Sequence, residues 1–378
     1  RLWRPSAHGP AAPLMLAVVL SMAAASRLEA INRSLLLDGR TYLVRGVAYS
    51  PTPIGIDPSA TQKLDFFSDE YRAIYERDLP RMAAIGVNAL RIYDIDTSCE
   101  VEPCTNTHLR FFEACAQHNI SVTGSFALSP SRHYFRTEGV ERTIASALRS
   151  QLRRLTVDGA YQMPSSAVMW MIGNELNLPS AGFLCDGLVE RSNASTACQY
   201  SGGELATFFR HIDSLCAIVH QFHLLCSSPL AEYPLPASYD LAAHRSAEGS
   251  TAWFRELEGI MGHMDLWTAN VYRAAAPDDL AASGHRGPFG DYFDAYQSRA
   301  SRPLLLTEYG LDAFDSGYEA GCECADERCA NCRAMREDPS AQAHGLQRLV
   351  EQLERNAITC LVNCDAHVAS GGFIFTWV

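Results

Sequence analysis

Ala167-Val168-Met169-Trp170-Met171-Ile172-Gly173-Asn174-Glu175 runs apolar from Ala167 to Ile172, breaks on a glycine and stops on a glutamate. A short, continuous apolar run bounded by a turn signal reads as a strand buried on both faces. Leu304-Leu305-Leu306-Thr307-Glu308-Tyr309-Gly310 repeats the design and also ends on a glutamate. Buried strands of this kind belong to parallel sheets whose faces are covered by helices.

Working outward, apolar runs and helix-period segments alternate along the chain. The strand candidates are 42–49, 89–93, 120–126, 167–172, 223–226, 266–272, 303–308 and 372–377. Between them lie helical segments at 70–85, 107–118, 140–157, 203–221, 251–261, 291–298 and 340–356. Gly86 and Asn119 stand where a helix end needs a left-handed residue before the next strand. Eight strands separated by crossover helices close into an α/β (β/α)8 TIM barrel. The segment 227–250 is rich in Pro, Ala and Ser, so the fifth strand and its helix are the least defined elements. The eighth helix would follow Val378 and is missing from this reading, so the C-terminus is expected to be truncated with an apolar flank exposed.

The chain has 378 residues, 47% hydrophobic and 20% charged, enough for one barrel with insertions. A net charge of -12 excludes the basic surface that nucleic acid requires and fits a neutral ligand better. Residues 1–30 read as a signal peptide or a membrane anchor: Arg1 and Arg4 precede an apolar run from Leu14 to Ala25, with small residues from Ala23 to Ser26. The catalytic domain is then 31–378. Thirteen cysteines agree with an oxidising compartment, and their odd number leaves at least one without a partner in the chain. Sequons stand at Asn32, Asn119 and Asn193. Asn193 lies in a polar loop and is the most accessible of the three, whereas Asn119 abuts a strand and is expected to be shielded.

Strand ends point chain into the barrel mouth, where the side chains of such barrels do chemistry. Glu175 ends the fourth strand and Glu308 the seventh. Two carboxyl groups facing each other across the mouth are the minimum equipment for breaking a glycosidic bond. Asn174 is placed to hydrogen-bond a sugar 2-hydroxyl.

These residues resemble the clan A retaining (β/α)8 glycoside hydrolases, which include families 2, 5 and 72. Arg45-Gly46-Val47-Ala48-Tyr49, Asn88-Ala89-Leu90-Arg91-Ile92-Tyr93, Asn270-Val271-Tyr272 and Gly371-Gly372-Phe373-Ile374-Phe375-Thr376-Trp377 carry the likeness further. The first two, with Glu76-Arg77-Asp78-Leu79-Pro80 between them, look most like the family 72 β-1,3-glucanosyltransferases and the family 2-like barrel proteins. The resemblance implies that Glu175 is the acid/base and Glu308 the nucleophile. It implies that Arg91 lies beneath Glu308 as its positive partner and that Tyr272 donates to it. It also implies that Trp377 floors the subsite of the attacked sugar, with Tyr49 and Tyr93 as further sugar contacts.

The implied activity is a retaining β-glycosidase or transglycosidase on β-glucan, secreted or held at the cell surface or wall. The alternatives are hydrolysis of another polysaccharide such as mannan or galactan, and a barrel that binds carbohydrate without turnover. No cofactor and no metal are implied, and the oligomeric state is open. Cys322, Cys324, Cys329 and Cys332 cluster in the seventh loop with a spacing that suits zinc but, in a secreted chain, suits disulfides better. Cys99 with Cys104, and Cys185 with Cys198, are candidate staples of loops around the mouth.

Overall fold

A computed structural model of the chain describes residues 27–53, 65–93, 95, 108–128, 140–157, 159–176, 202–231, 257–272, 289, 292–311, 338–358 and 368–377. The described chain opens with a small antiparallel sheet of β1 (Leu28–Ile31), β2 (Ser34–Leu37) and β3 (Arg40–Thr41). The parallel sheet follows: β4 (Val44–Tyr49), β5 (Ala89–Arg91), β6 (Ser121–Phe126), β7 (Ala167–Ile172), β8 (Leu225–Ser227), β9 (Pro229–Ala231), β10 (Trp267–Asn270), β11 (Leu304–Tyr309) and β12 (Ala369–Trp377). Its order is β8-β7-β6-β5-β4-β12-β11-β10-β9. Only Ser228 separates β8 from β9. One piece pairs with β7 and the other with β10, so together they make a single stave that closes an eight-stave barrel. Ser228 bridges the break, its hydroxyl donating to the Ile172 carbonyl at 2.8 Å.

Helices α1 (Arg72–Ala84), α2 (Leu109–Gln117), α3 (Val140–Arg154), α4 (Gly202–His220), α5 (Tyr292–Arg299) and α6 (Pro339–Arg355) form the outer ring. Residues 257–260 are helical and belong to the segment expected after the fifth strand. Gly86 and Asn119 both take the left-handed conformation, at φ 90° and 55°, that their helix ends require. Asn119 is exposed, not shielded: the turn carries its side chain outward, and burial begins at Ile120. Among the described residues no helix is long and apolar enough to cross a membrane.

The hairpin is the element that the strand pattern did not anticipate, because Leu28 to Ile31 continues the apolar character of the preceding segment. Strand β1 starts at Leu28, so the expected division at residue 30 falls within it. Leu28 and Leu35 pack with Val44, Met169, Met171, Leu225, Leu305 and Phe373 inside the barrel. The hairpin thereby closes the end of the barrel opposite the mouth. Arg33, in its turn, donates to the carbonyls of Gln297 and Ala300 and ties it to the end of α5.

Close approach decides two positions in the staves. A Cβ on Gly46 would lie 2.2 Å from Cδ1 of Phe373, and one on Gly124 would lie 2.2 Å from Cζ3 of Trp170. Both rings are fully buried. Gly46→Ala therefore forces Phe373 out of its site and is expected to lower unfolding free energy by about 1–3 kcal/mol in denaturant titrations, the usual cost of overpacking.

One face of α4 is fastened three ways. Cys216 is disulfide-bonded to Cys226 of β8. His220 Nε2 meets Asp265 Oδ2 at 2.9 Å, and that oxygen also accepts from the Cys226 amide at 2.7 Å. Asp213 accepts from the amides of His263 and Met264 and pairs with the His263 ring. The hydrogen bond to Asp265 raises the His220 pKa above the ordinary histidine value, against the opposing effect of burial; the charges of Asp265 and Asp213 add to the rise. A raised folded-state pKa means the contribution is complete in mild acid and is lost as pH rises through that value. Melting curves are expected to show a larger deficit for His220→Ala at about pH 5.5 than at about pH 8.5.

Candidate active site

Four barrel staves deliver polar side chains to one point at the mouth. Glu308, on β11, is 6% exposed and accepts from three donors. Arg91 Nη1 and the Tyr93 hydroxyl each reach Oε1 at 2.8 Å, and the Tyr272 hydroxyl reaches Oε2 at 2.8 Å. Arg91 comes from β5 and is fully buried, which sets the geometry of its fork. Its Nη1 also donates to the Thr307 carbonyl at 2.9 Å, and its Nη2 to Asn174 Oδ1 at 2.7 Å. The guanidinium lies over the Tyr93 ring, 4.4 Å from the centroid, where a cation is attracted by the π face.

Burial first, and the Glu308 charge with it, push the Tyr272 hydroxyl far above the ordinary tyrosine range. Tyr93 is shifted the same way, by burial first, with Arg91 opposing and Glu308 reinforcing. Both hydroxyls keep their protons through the working pH range and serve Glu308 as donors.

Glu175 sits differently. The chain leaves β7 through Gly173 at φ 66° and reaches Glu175 at φ 53°, a left-handed conformation that costs a non-glycine residue about 1–2 kcal/mol. The Glu175 amide donates to the Pro229 carbonyl at 2.9 Å, so the break between β8 and β9 helps hold the turn. Its Oε1 accepts from Asn270 Nδ2 at 3.0 Å. The side chain is part-exposed at the mouth.

Asn270, at the end of β10, joins the two halves. Its Oδ1 accepts from Thr307 Oγ1 at 2.8 Å and Arg91 Nη1 at 3.2 Å. Its Nδ2 donates to Asn174 Oδ1 at 3.1 Å as well as to Glu175. These four bonds fix which end of the amide is which. Asn174 Oδ1 is occupied twice, by Asn270 Nδ2 and by Arg91 Nη2, and Asn174 is exposed at the mouth, where its NH2 can donate to a ligand hydroxyl. A register shift between Ala269 and Asn270 brings Asn270 opposite Glu308.

Six of the eight residues singled out in the sequence therefore meet here: Arg91, Tyr93, Asn174, Glu175, Tyr272 and Glu308. Tyr49 does not. It is fully buried, its hydroxyl donates to Asp78 of α1 at 3.2 Å, and its ring packs against Phe67, so the sugar-contact expectation is corrected to a core role. Trp377 ends β12 beside Tyr49, and its side chain lies outside the described residues. The described aromatic at that position in the mouth is Phe375, 43% exposed, with its ring 6.3 Å from those of both Tyr93 and Tyr272 and nearly perpendicular to each. Asn270 and Phe375 were missed, although strand alternation puts each on the same face as a residue already named, Tyr272 and Trp377. The cysteine pairs 99/104 and 185/198, the cluster from Cys322 to Cys332, and Asn193 lie outside the described residues.

No family model matches the chain, and no curated protein sequence matches it. Solved structures do. A glutamate-to-glutamine mutant of Saccharomyces cerevisiae Gas2p, in complex with laminaritetraose and laminaripentaose, superposes with a TM-score of 0.52 at 13% identity over 93% of this chain and 60% of that one. A β-mannanase from the blue mussel Mytilus edulis gives a TM-score of 0.53 at 13% identity, over 93% of this chain and 92% of the mannanase. The chain spans about three-fifths of the yeast protein. At this identity the likeness establishes the (β/α)8 barrel that clan A enzymes share.

Asn270→Ala is expected to lower kcat/KM by on the order of 10²-fold, the cost of misplacing a reacting group by about an ångström. Asn270→Asp keeps the shape and loses the N–H donor, so steady-state kinetics on natural glycans are expected to show a comparable loss. On the glycosidase expectation raised by the sequence, aryl glycosides with good leaving groups, which would need little help from Glu175, are expected to lose less in both variants.

Proposed function

We propose that this chain is a retaining β-glycosidase or transglycosidase acting on β-glucan. The observation that carries the reading is the difference in how the two carboxyl groups are held. Glu308 is buried and fixed by Arg91, Tyr93 and Tyr272, which suits an attacking nucleophile. Glu175 is part-exposed and, among the described residues, has one neutral donor on one oxygen, which suits a group that must give and take a proton.

In the first step Glu308 Oε2 or Oε1 attacks the anomeric carbon. The bond from that carbon to the bridging oxygen breaks, and Glu175 donates its proton to the departing oxygen. The product is a glycosyl ester on Glu308 and a shortened glycan. In the second step Glu175 removes a proton from water or from a sugar hydroxyl, the new oxygen bonds to the anomeric carbon, and Glu308 is released. Tyr93 and Tyr272 hold the carboxylate in line. Asn174 donates to the sugar 2-hydroxyl through its NH2, and Phe375 offers an apolar face to the ring.

The laminari-oligosaccharides bound by yeast Gas2p favour a β-1,3-linked glucan as substrate. The mussel β-mannanase, matched along almost its whole length, supports β-mannan as the second reading. The disulfide between Cys216 and Cys226 supports a protein of the secretory pathway, at the cell surface or wall or beyond it.

The test is mass-resolved product analysis of β-1,3-gluco-oligosaccharides and β-manno-oligosaccharides with wild type, Glu308→Gln and Glu175→Ala. Wild type is expected to yield products from the glucan series, longer than the donor if sugar is the acceptor and shorter if water is. Glu308→Gln is expected to abolish turnover. Glu175→Ala is expected to slow natural glycans by about 10²–10⁴-fold and activated glycosides much less. Turnover of mannan alone moves the substrate to the second reading. Wild-type rates in both variants, or no turnover by the folded wild type of any β-glycan tried, overturn the proposal.

A further inference from the structure

Outside the mouth, the exposed large apolar side chains among the described residues are Ile31, Ile85, Val157 and Tyr161. All four stand where chain enters the closed end of the barrel. Ile31 ends β1 in the hairpin beneath the staves, Ile85 follows α1 on the way to β5, and Val157 and Tyr161 lie between α3 and β7. Ile85 is 70% exposed and Ile31 48%. These side chains share one end of the molecule and are open to solvent there.

The same end carries two sequons. Asn32, in Asn32-Arg33-Ser34, occupies the β1–β2 turn beside Ile31 at φ 53°. Asn119, in Asn119-Ile120-Ser121, occupies the turn before β6 at φ 55°, between the stave entered past Ile85 and the stave entered past Val157. Both side chains are exposed, and neither amide is engaged by a described residue. We infer that Asn32 and Asn119 carry N-linked glycans, and that these cover the apolar closed end of the barrel.

The transfer balances without redox change. Nδ2 of each asparagine bonds to the first sugar's anomeric carbon in a lipid-linked oligosaccharyl diphosphate, the bond from that carbon to the diphosphate oxygen breaks, the amide loses one proton, and the lipid diphosphate leaves. The disulfide between Cys216 and Cys226 supports a compartment where that donor is used. Timing follows from burial. Ser34 is buried, and the Ser121 hydroxyl is 2.7 Å from that of Tyr42 and 3.2 Å from the Asn88 carbonyl. The sequon hydroxyls are hidden in the folded protein, so transfer precedes folding. Glu175 and Glu308 end their staves at the opposite side, so the glycans leave the mouth open. The inference stands independently of the glycosidase reading.

The experiment secretes the whole chain from a glycosylating yeast or insect cell. Its proteolytic peptides are then freed of N-glycans with a glycan-releasing amidase in heavy-oxygen water, which converts each formerly glycosylated asparagine to labelled aspartate. Label at both Asn32 and Asn119 is expected. Asn32→Asp and Asn119→Asp, chosen because aspartate tolerates the left-handed conformation, are each expected to lose one glycan from the intact mass. The double variant is expected to keep its far-ultraviolet circular dichroism and turnover within about twofold, while aggregating at lower concentration. Unlabelled Asn32 and Asn119 in folded, secreted protein overturn the inference, as does label at Asn193 alone. Unchanged solubility of the unglycosylated double variant overturns the covering role.

Discussion

The buried guanidinium of Arg91 is the constraint around which the rest of the mouth is arranged. A charge taken wholly out of water must be paired and hydrogen-bonded, and removing the partner of such a pair costs about 3–5 kcal/mol. Arg91 is paired by Glu308 and further satisfied by the Thr307 carbonyl and by the side-chain oxygens of Asn174 and Asn270. Each acceptor then has only its remaining groups to offer. Asn174 keeps its NH2, Asn270 turns its NH2 to Glu175, and Glu308 keeps its second oxygen for Tyr272. One cation in the barrel interior thus sets the polarity of every neighbouring side chain without touching a substrate.

Backbone geometry brings these groups within reach. Parallel staves end at slightly different heights, and the mouth uses irregularities to bring the tips together. Gly173 and Glu175 leave β7 with positive φ, Ser228 splits the fifth stave, and the β10–β11 register shifts at Asn270. The split stave is structurally useful, because it frees the Pro229 carbonyl to accept from Glu175 while Ser228 returns a bond to Ile172. Strain in the Glu175 turn is held by ties on both sides, the usual condition for a non-glycine residue in that conformation.

Much of the barrel was legible because β7 and β11 are largely apolar runs and Gly86 and Asn119 mark two helix ends, so period and punctuation agree there. The fifth stave was not, since its two three-residue pieces are too short to establish a period. The hairpin was hidden by the apolar stretch that precedes it, and only packing of Leu28 and Leu35 into the barrel gives it meaning. In the site, residues at strand tips could be read individually, but connectivity could not. Nothing in Asn270-Val271-Tyr272 says that Asn270 would touch four partners, because that depends on a register shift that pairing alone decides. Tyr49 illustrates the converse error. It stands at a strand tip like the others, yet Asp78 on α1 captures its hydroxyl and Phe67 covers its ring, so alternation placed it on the helix side of the stave.

The contrast between the two carboxyl groups has a mechanical consequence for a two-step reaction. A nucleophile forms and breaks a covalent bond while its carbon stays put, so three donors from two staves on its two oxygens cost nothing in mobility and secure the angle of attack. An acid/base must present the same oxygen first to a departing and then to an incoming oxygen, which do not occupy identical points. One donor on Oε1 of Glu175, from an amide that is itself anchored at its other end, restrains the side chain yet leaves Oε2 to follow the proton. Reversing the two environments would leave a mobile nucleophile and an immobilised proton carrier. In the proposed reaction the direction of the asymmetry, more than the presence of two glutamates, suits Glu308 to attack and Glu175 to carry the proton.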